Sequence, residues 1–266
     1  MKKGLVFLLF AIALSSCSEY NKVLKSTDYE LKYEYAKKYF EEKKYTKAYT
    51  LLEDVVTMFK GTDKAEEALY LLAQSYFGSG DYMTATQYFS TYYNNYPRGE
   101  YSEPSRFYSG YSYYLDSPDA RLDQSGTNKA IEELQMFVEY FPRSEKVAEA
   151  EGYIAELKDK LSEKEYLSAK LYFNLGSYMG NNYESAVITA KNAIDDFPQN
   201  KFKEDLQFII LESRYEEAKQ SIDEKREERY RDVIDEYYSF INDFPESKFL
   251  GKAKKIFEEA SEKIND

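Results

Sequence analysis

The feature that most constrains this chain is a recurring aromatic-proline pair. It stands at Tyr96-Pro97-Arg98-Gly99, Phe141-Pro142-Arg143-Ser144, Phe197-Pro198-Gln199-Asn200 and Phe244-Pro245-Glu246-Ser247, and it takes up four of the six prolines. Proline cannot continue a helix and pushes the residue before it out of helical backbone, so each pair reads as a helix stop followed by a helix start. Twelve residues before each proline lie Ala85, Ala130, Ala186 and Val233, in the middle of a helical pattern. Upstream, Ala36 and Tyr39 precede Ala48, Ala73 and Tyr76 precede Ala85, and Gly110 and Tyr113 precede Ala130. Ala36 and Ala73 are 37 residues apart, as are Ala73 and Gly110. Self-similarity at such a period marks stacked helical hairpins, in which small residues let two helices approach and a tyrosine fills the space beyond.

These residues resemble the tetratricopeptide repeat. The second copy, with Leu72, Ala73, Tyr76, Ala85, Phe89 and Pro97, matches that pattern throughout; the first has Lys60 where proline would stand. A fourth copy runs from Ala169 and Tyr172 to Ala186 and Pro198, lengthened around Gly180-Asn181-Asn182. A fifth runs from Tyr215 to Pro245 through the charged insert Glu224 to Arg229. The resemblance implies an all-α solenoid of about five helix-turn-helix units over residues 28–266, ending in a closing helix near 248–264. The segment 145–166 reads as a further helical stretch, the third repeat's closing helix extended into the next hairpin.

The first sixteen residues read as a processing signal. Lys2 and Lys3 precede an apolar run from Leu5 to Leu14, which is about half the length that spans a bilayer. Its ending, Leu14-Ser15-Ser16-Cys17, resembles the lipobox of bacterial lipoproteins. That implies removal of residues 1–16 and acylation of Cys17, the only cysteine, with palmitate-type chains. Two or more acyl chains hold a protein stably at a membrane that it does not cross. Residues 17–27 then carry the lipidated cysteine and a tether to the fold.

What the chain lacks excludes most chemistry. With no His and one Cys, a Ser/His/Asp triad, a Cys/His nucleophile and His- or multi-Cys metal sites are ruled out, and no enzyme, cofactor or metal is expected. A net charge of −12 repels phosphate backbones, so nucleic acid is not an expected partner. Adjacent acids at Glu41-Glu42, Glu66-Glu67 and Asp195-Asp196 point about 100° apart on a helix and read as solvated faces. Gly78-Ser79-Gly80-Asp81 lacks the strand and the Lys-Ser/Thr of a phosphate loop and reads as a hairpin turn. The acids between Asp116 and Gln124 lack calcium-loop spacing and read as a capping loop.

The pattern that could bind something is aromatic. Three residues before each small residue of a first helix lie Tyr33, Tyr70, Phe107 and Tyr166, and seven residues after these lie Phe40, Phe77, Tyr114 and Phe173. Seven residues is close to two helical turns, so each pair shares one face. These rings can form two ladders along a peptide-binding groove, with Tyr33, Tyr70 and Phe107 expected to be the more exposed rungs; the same spacing also fits packing within and between repeats.

A lipobox, a short tether and five imperfect repeats resemble the BamD family, the lipoproteins of the outer-membrane β-barrel assembly machinery. Its more specific marks are the third-repeat insertion from Tyr114 to Gln124 leading into Lys129-Ala130, and Leu157-Lys158-Asp159-Lys160-Leu161 entering the fourth repeat. The resemblance implies a non-enzymatic scaffold at the periplasmic face of the outer membrane, acting in protein assembly and membrane insertion. Its implied partners are the barrel-inserting subunit (BamA-like), through the C-terminal repeats, and signals of unfolded barrel proteins, through the N-terminal repeats. The peptide site would be Tyr33, Tyr70, Phe107, Phe40, Phe77 and Tyr114, and the subunit contact Lys203, which stands nearest the family's basic residue after the fourth aromatic-proline turn. A repeat-lipoprotein adaptor that coordinates peptidoglycan enzymes is the other reading; it would be expected to carry coiled-coil segments or a Pro/Gln linker, and the sequence has neither.

Overall fold

A computed structural model of the chain describes residues 19–265. The signal segment 1–16 and the acylation position Cys17 lie outside the described residues. Everything described is helix, turn or loop, as the all-α repeat class requires. The helices are α1 (19–24), α2 (Tyr29–Glu41), α3 (Tyr45–Met58), α4 (Ala65–Ser79), α5 (Tyr82–Asn95), α6 (Ser102–Asp116), α7 (Ser125–Tyr140), α8 (Val147–Leu175), α9 (Asn182–Asp196), α10 (Lys203–Lys219), α11 (Asp223–Asp243) and α12 (Leu250–Asn265). They form consecutive pairs α2/α3, α4/α5, α6/α7, α8/α9 and α10/α11, with α12 closing the series. No described helix is long and apolar enough to cross a membrane.

The chain divides into two compact units. The first holds the described residues up to Ser117 and residues Ser125–Ile154; the second holds Pro118–Gln124 and everything from Ala155 onward. In the first, Leu51, Leu52, Val55, Leu72 and Phe89 form the core, each at most 1% exposed. In the second, one core gathers Ala169, Val187, Leu206 and Ile210 and another Phe208, Leu211, Val233 and Phe240.

The turns follow from the aromatic-proline chemistry. Tyr96, Phe197 and Phe244 end α5, α9 and α11 with nearly identical backbone, φ −128° to −132° and ψ 63° to 68°, outside the helical region as a following proline demands. Each carbonyl then accepts from the amide three residues on, at 2.9 to 3.1 Å from Gly99, Asn200 and Ser247. The first repeat makes the same turn without proline: Thr62 N–H donates to the Phe59 carbonyl at 2.9 Å, and Gly61 supplies a left-handed φ of +84°. Starts are capped by side chains: Asp28, Asp81 and Asn181 accept from the amides of Leu31, Thr84 and Glu184. The turn at Gly80 is the hairpin turn expected there.

Two details differ from the sequence reading. Residues 145–166 are not an extension of the third pair: α7 stops at Tyr140, and one 29-residue helix, α8, runs through the fourth repeat's first helix to Leu175. With no proline or glycine cap between Val147 and Leu175 to end it, the helix continues. The charged insert Glu224–Arg229 forms the first turns of α11. The proposed tether is folded from residue 19 on: Val23 in α1 is buried, Tyr20 packs edge-on to Tyr39 at 5.7 Å, and the Tyr35 hydroxyl donates to Glu19 at 2.6 Å.

The small residues sit where the helices touch. Ala36, Ala48, Ala73, Ala85, Ala130, Ala169 and Ala186 have no exposed surface. A Cβ on Gly110 would come within 2.8 Å of the Leu134 side chain and 3.1 Å of its backbone nitrogen. Ala73→Leu is therefore expected to overpack the α4/α5 contact and lose about 1–3 kcal/mol of unfolding free energy, read as a lower urea midpoint.

Candidate functional site

The candidate site lies in the first unit, mainly on first helices of the pairs. The lower rungs of the expected ladders do not line an open face. Tyr33 and Phe107 are buried, at 1% and 2% exposure, which corrects the expectation that they are exposed rungs. Each closes its own hairpin against a ring from the second helix or its cap: Tyr33 edge-on to Phe59 at 5.3 Å, and Phe107 edge-on to Phe137 at 5.4 Å. Tyr70 makes the same kind of contact, with Phe89 at 6.2 Å and Tyr92 at 6.1 Å, but is only half-buried.

The upper rungs Phe40, Phe77 and Tyr114 are half-buried. Phe40 packs on Tyr45 at 5.7 Å and stands apart from the others. Phe77 and Tyr114 join a continuous run of rings. Starting from Tyr101, the run passes to Tyr70, stacked at 4.4 Å, then to Phe89, to Tyr108 at 5.6 Å and to Phe77 at 5.0 Å. It continues to Tyr111 at 5.7 Å, to Tyr153 on α8 at 4.9 Å, and to Tyr114, 4.3 Å from Tyr153. Phe89 is wholly buried; the other seven rings each keep part of their surface in water.

Four of these rings, Tyr101, Tyr108, Tyr111 and Tyr153, escaped the seven-residue count. A finer pattern held part of the answer: Phe107, Tyr111 and Tyr114 stand at i, i+4 and i+7 and share one face of α6. Tyr101 and Tyr153 come from a turn and from another helix, and no local period reports them. Tyr166 and Phe173 belong to the second unit, where Tyr166 stacks on Phe202 at 4.9 Å and Phe173 packs edge-on to Tyr183.

Polar atoms hold the rings in place. Gln74 Nε2 donates to Tyr70 Oη at 2.8 Å, Tyr153 Oη donates to Glu149 at 2.8 Å, and Tyr92 Oη donates to Glu66 at 2.9 Å. Lys146 pairs with Glu149 at 2.6 Å while its ammonium lies 5.1 Å from the Phe107 ring centre. The arrangement contains neutral hydroxyls, carboxylates engaged by donors and flat apolar surface. It can bind side chains by stacking and burial; it has no paired nucleophile and base.

Lys203 is half-buried at the first position of α10 and pairs with no carboxylate among the described residues. The helix N-terminus is unfavourable for a cation. The connection 117–124 forms a loop closed by its own polar groups: Gln124 Nε2 donates to the Asp119 and Leu122 carbonyls at 2.8 and 3.1 Å, and Arg121 N–H donates to Asp119 Oδ1.

Burial pushes the Tyr70 hydroxyl up to about 12, and burial first, then a neighbouring carboxylate, raises Tyr33, Tyr76 and Tyr153 as well. In the unfolded chain these groups ionise near 10. Their stabilisation is therefore complete below about pH 10 and lost as pH rises through the folded values. A spectrophotometric titration at the tyrosinate band should lag free tyrosine and end in a cooperative alkaline unfolding. For Tyr70, the difference between the parent and Tyr70→Phe should show no ionisation at pH 10. Phe107→Ala should cost about 3–5 kcal/mol of stability, as buried Phe truncations do, read by urea unfolding.

Residues 26–181 match a family model, YfiO, described as outer membrane lipoprotein, and so take in every ring of the run, the loop 117–124 and all of α8. No curated protein matches the chain. Over that span, more than half of its length, the chain belongs to the YfiO family of outer membrane lipoproteins.

Proposed function

We propose that the chain is a lipid-anchored, non-catalytic scaffold of outer-membrane β-barrel assembly, facing the periplasm. In this reading the first unit receives unfolded barrel proteins and the second holds the barrel-inserting subunit. The observation that carries it is the set of seven part-exposed rings in the run from Tyr101 to Tyr114. Such a surface suits an extended segment with aromatic side chains, because flat rings contribute large contact area at little conformational cost and hydroxyls at their edges satisfy a peptide backbone. Family membership supports the membrane and the lipoprotein character. Anchoring through Cys17 agrees with the absence of any described helix able to span a bilayer.

The peptide site changes in composition from the one drawn on sequence. Tyr70, Phe77 and Tyr114 remain as contact residues, joined by Tyr101, Tyr108, Tyr111 and Tyr153; Tyr33 and Phe107 support them from beneath, and Phe40 lies to one side. Lys203, without a carboxylate partner at the start of α10, remains the residue offered to the barrel-inserting subunit.

Two measurements test this. Binding of a fluorescein-labelled aromatic-rich barrel peptide should weaken about five-fold or more in Tyr111→Ala and in Tyr70→Ala, the size of a central interface anchor, with the helical circular dichroism unchanged. Equal affinity in both variants rejects the site. Affinity purification of the full lipoprotein from mildly solubilised envelopes should recover a large barrel protein with periplasmic repeat domains, and Lys203→Glu should deplete it. Recovery of cell-wall synthases or hydrolases instead moves the function to the adaptor reading.

A further inference from the structure

The second unit carries a groove of its own that neither Lys203 nor the aromatic run involves. Two cavities, of about 310 and 250 Å³, lie along α8, α10 and α12. Both are lined by Phe173, Glu212 and Lys252, so they are parts of one channel. Its apolar lining includes Phe173, Ile256 and the ring pair Phe208 and Phe249, stacked parallel at 4.2 Å.

The charges along the channel divide into engaged and free. Lys219 is held by Glu216 at 2.9 Å, Glu259 takes the Tyr215 hydroxyl and lies 3.7 Å from Lys255, and Asp205 is held by Lys248 at 3.2 Å. That leaves Lys170, Lys252 and Glu212, none within ion-pair distance of an opposite charge. Two exposed ammoniums, Lys170 from α8 (5.6 Å over the Tyr166 ring) and Lys252 from α12, thus line the channel with one half-buried carboxylate, Glu212 from α10. Burial disfavours the charged form of Glu212, and Lys252 partly offsets this. With the paired charges cancelled, including Asp205 against Lys248, one net positive charge remains over the apolar floor, in a chain of net charge −12.

We propose that this channel binds an internal protein segment that presents an acidic side chain between apolar ones. The apolar side chains would fill the two cavities, and the acid would sit against Lys170 and Lys252, with the amide of Asn174, one turn beyond Lys170 on α8, as a further donor. The two cavities are joined across three helices, so the segment runs through the channel; its recognition needs no chain terminus. The proposal stands apart from the peptide site of the first unit and does not require it.

The test uses the purified full chain and three fluorescein-labelled, C-terminally amidated nonapeptides with phenylalanine and leucine at fixed positions and Glu, Gln or Lys at the centre. Anisotropy should give tightest binding for the Glu peptide. Lys170→Ala and Lys252→Ala should each weaken it about three- to five-fold, the upper range for a solvent-accessible ion pair, and Glu212→Gln should tighten it. Tyr70→Ala should leave it unchanged. All four substitutions are at positions that are not fully buried, and circular dichroism confirms that the variants fold. Equal binding of the Glu and Gln peptides overturns the proposal, as does preference for Lys with loss of binding in Glu212→Gln. Loss in Tyr70→Ala with none in Lys252→Ala assigns the peptide to the first unit and also overturns it.

Discussion

Close approach of paired helices at residues with little or no side chain is the constraint on which the rest depends. Ala36, Ala73, Ala85, Ala130 and Ala186 are wholly covered by their neighbours, and at Gly110 even a methyl would meet Leu134. Helices drawn that close cannot fill the spaces to either side with aliphatic residues alone. Large flat rings do so, which accounts for aromatics being 17% of the chain and for their gathering at hairpin ends.

The choice of tyrosine over phenylalanine follows from charge. A chain with 48 acidic and 36 basic residues has more carboxylates than cations to engage them. Tyrosine hydroxyls engage several of the excess acids: Tyr76 donates to Glu53, Tyr92 to Glu66, Tyr93 to Glu133 at 3.0 Å, Tyr153 to Glu149 and Tyr215 to Glu259. Four of these five bonds join residues more than twenty positions apart, so each ties one helix to another. The same bonds, together with burial, hold the tyrosines protonated well beyond their ordinary range. Packing, electrostatics and resistance to alkali are thus consequences of one residue type.

The two units use the same helix-pair grammar for different surfaces. In the first, part-exposed rings adjoin one another and charge is confined to their edges, which favours stacking. In the second, Lys170 and Lys252 reach into a channel floored by rings that are themselves paired, Phe208 on Phe249, which favours a mixed apolar and acidic ligand.

Much of the fold was legible without coordinates. The aromatic-proline stops, the 37-residue period and the small residues sit in the sequence as local signals, and local signals specify hairpins because their causes, proline sterics and close helix contact, act within one repeat. The run of α8 through 147–175 was harder to read, since the evidence for it is an absence of stop signals. For the site, sequence identified the faces that carry aromatics but misjudged which rings are covered. Tyr33 and Phe107 share their seven-residue spacing with Phe40 and Tyr114, and what separates them is a ring contributed from elsewhere in the chain, Phe59 or Phe137. The channel along α8, α10 and α12 left no trace in any local pattern: Phe173, Phe208 and Phe249 lie about forty residues apart and meet only when three helices pack. Periodicity reports which face of a helix is apolar; only tertiary packing decides whether another element covers it.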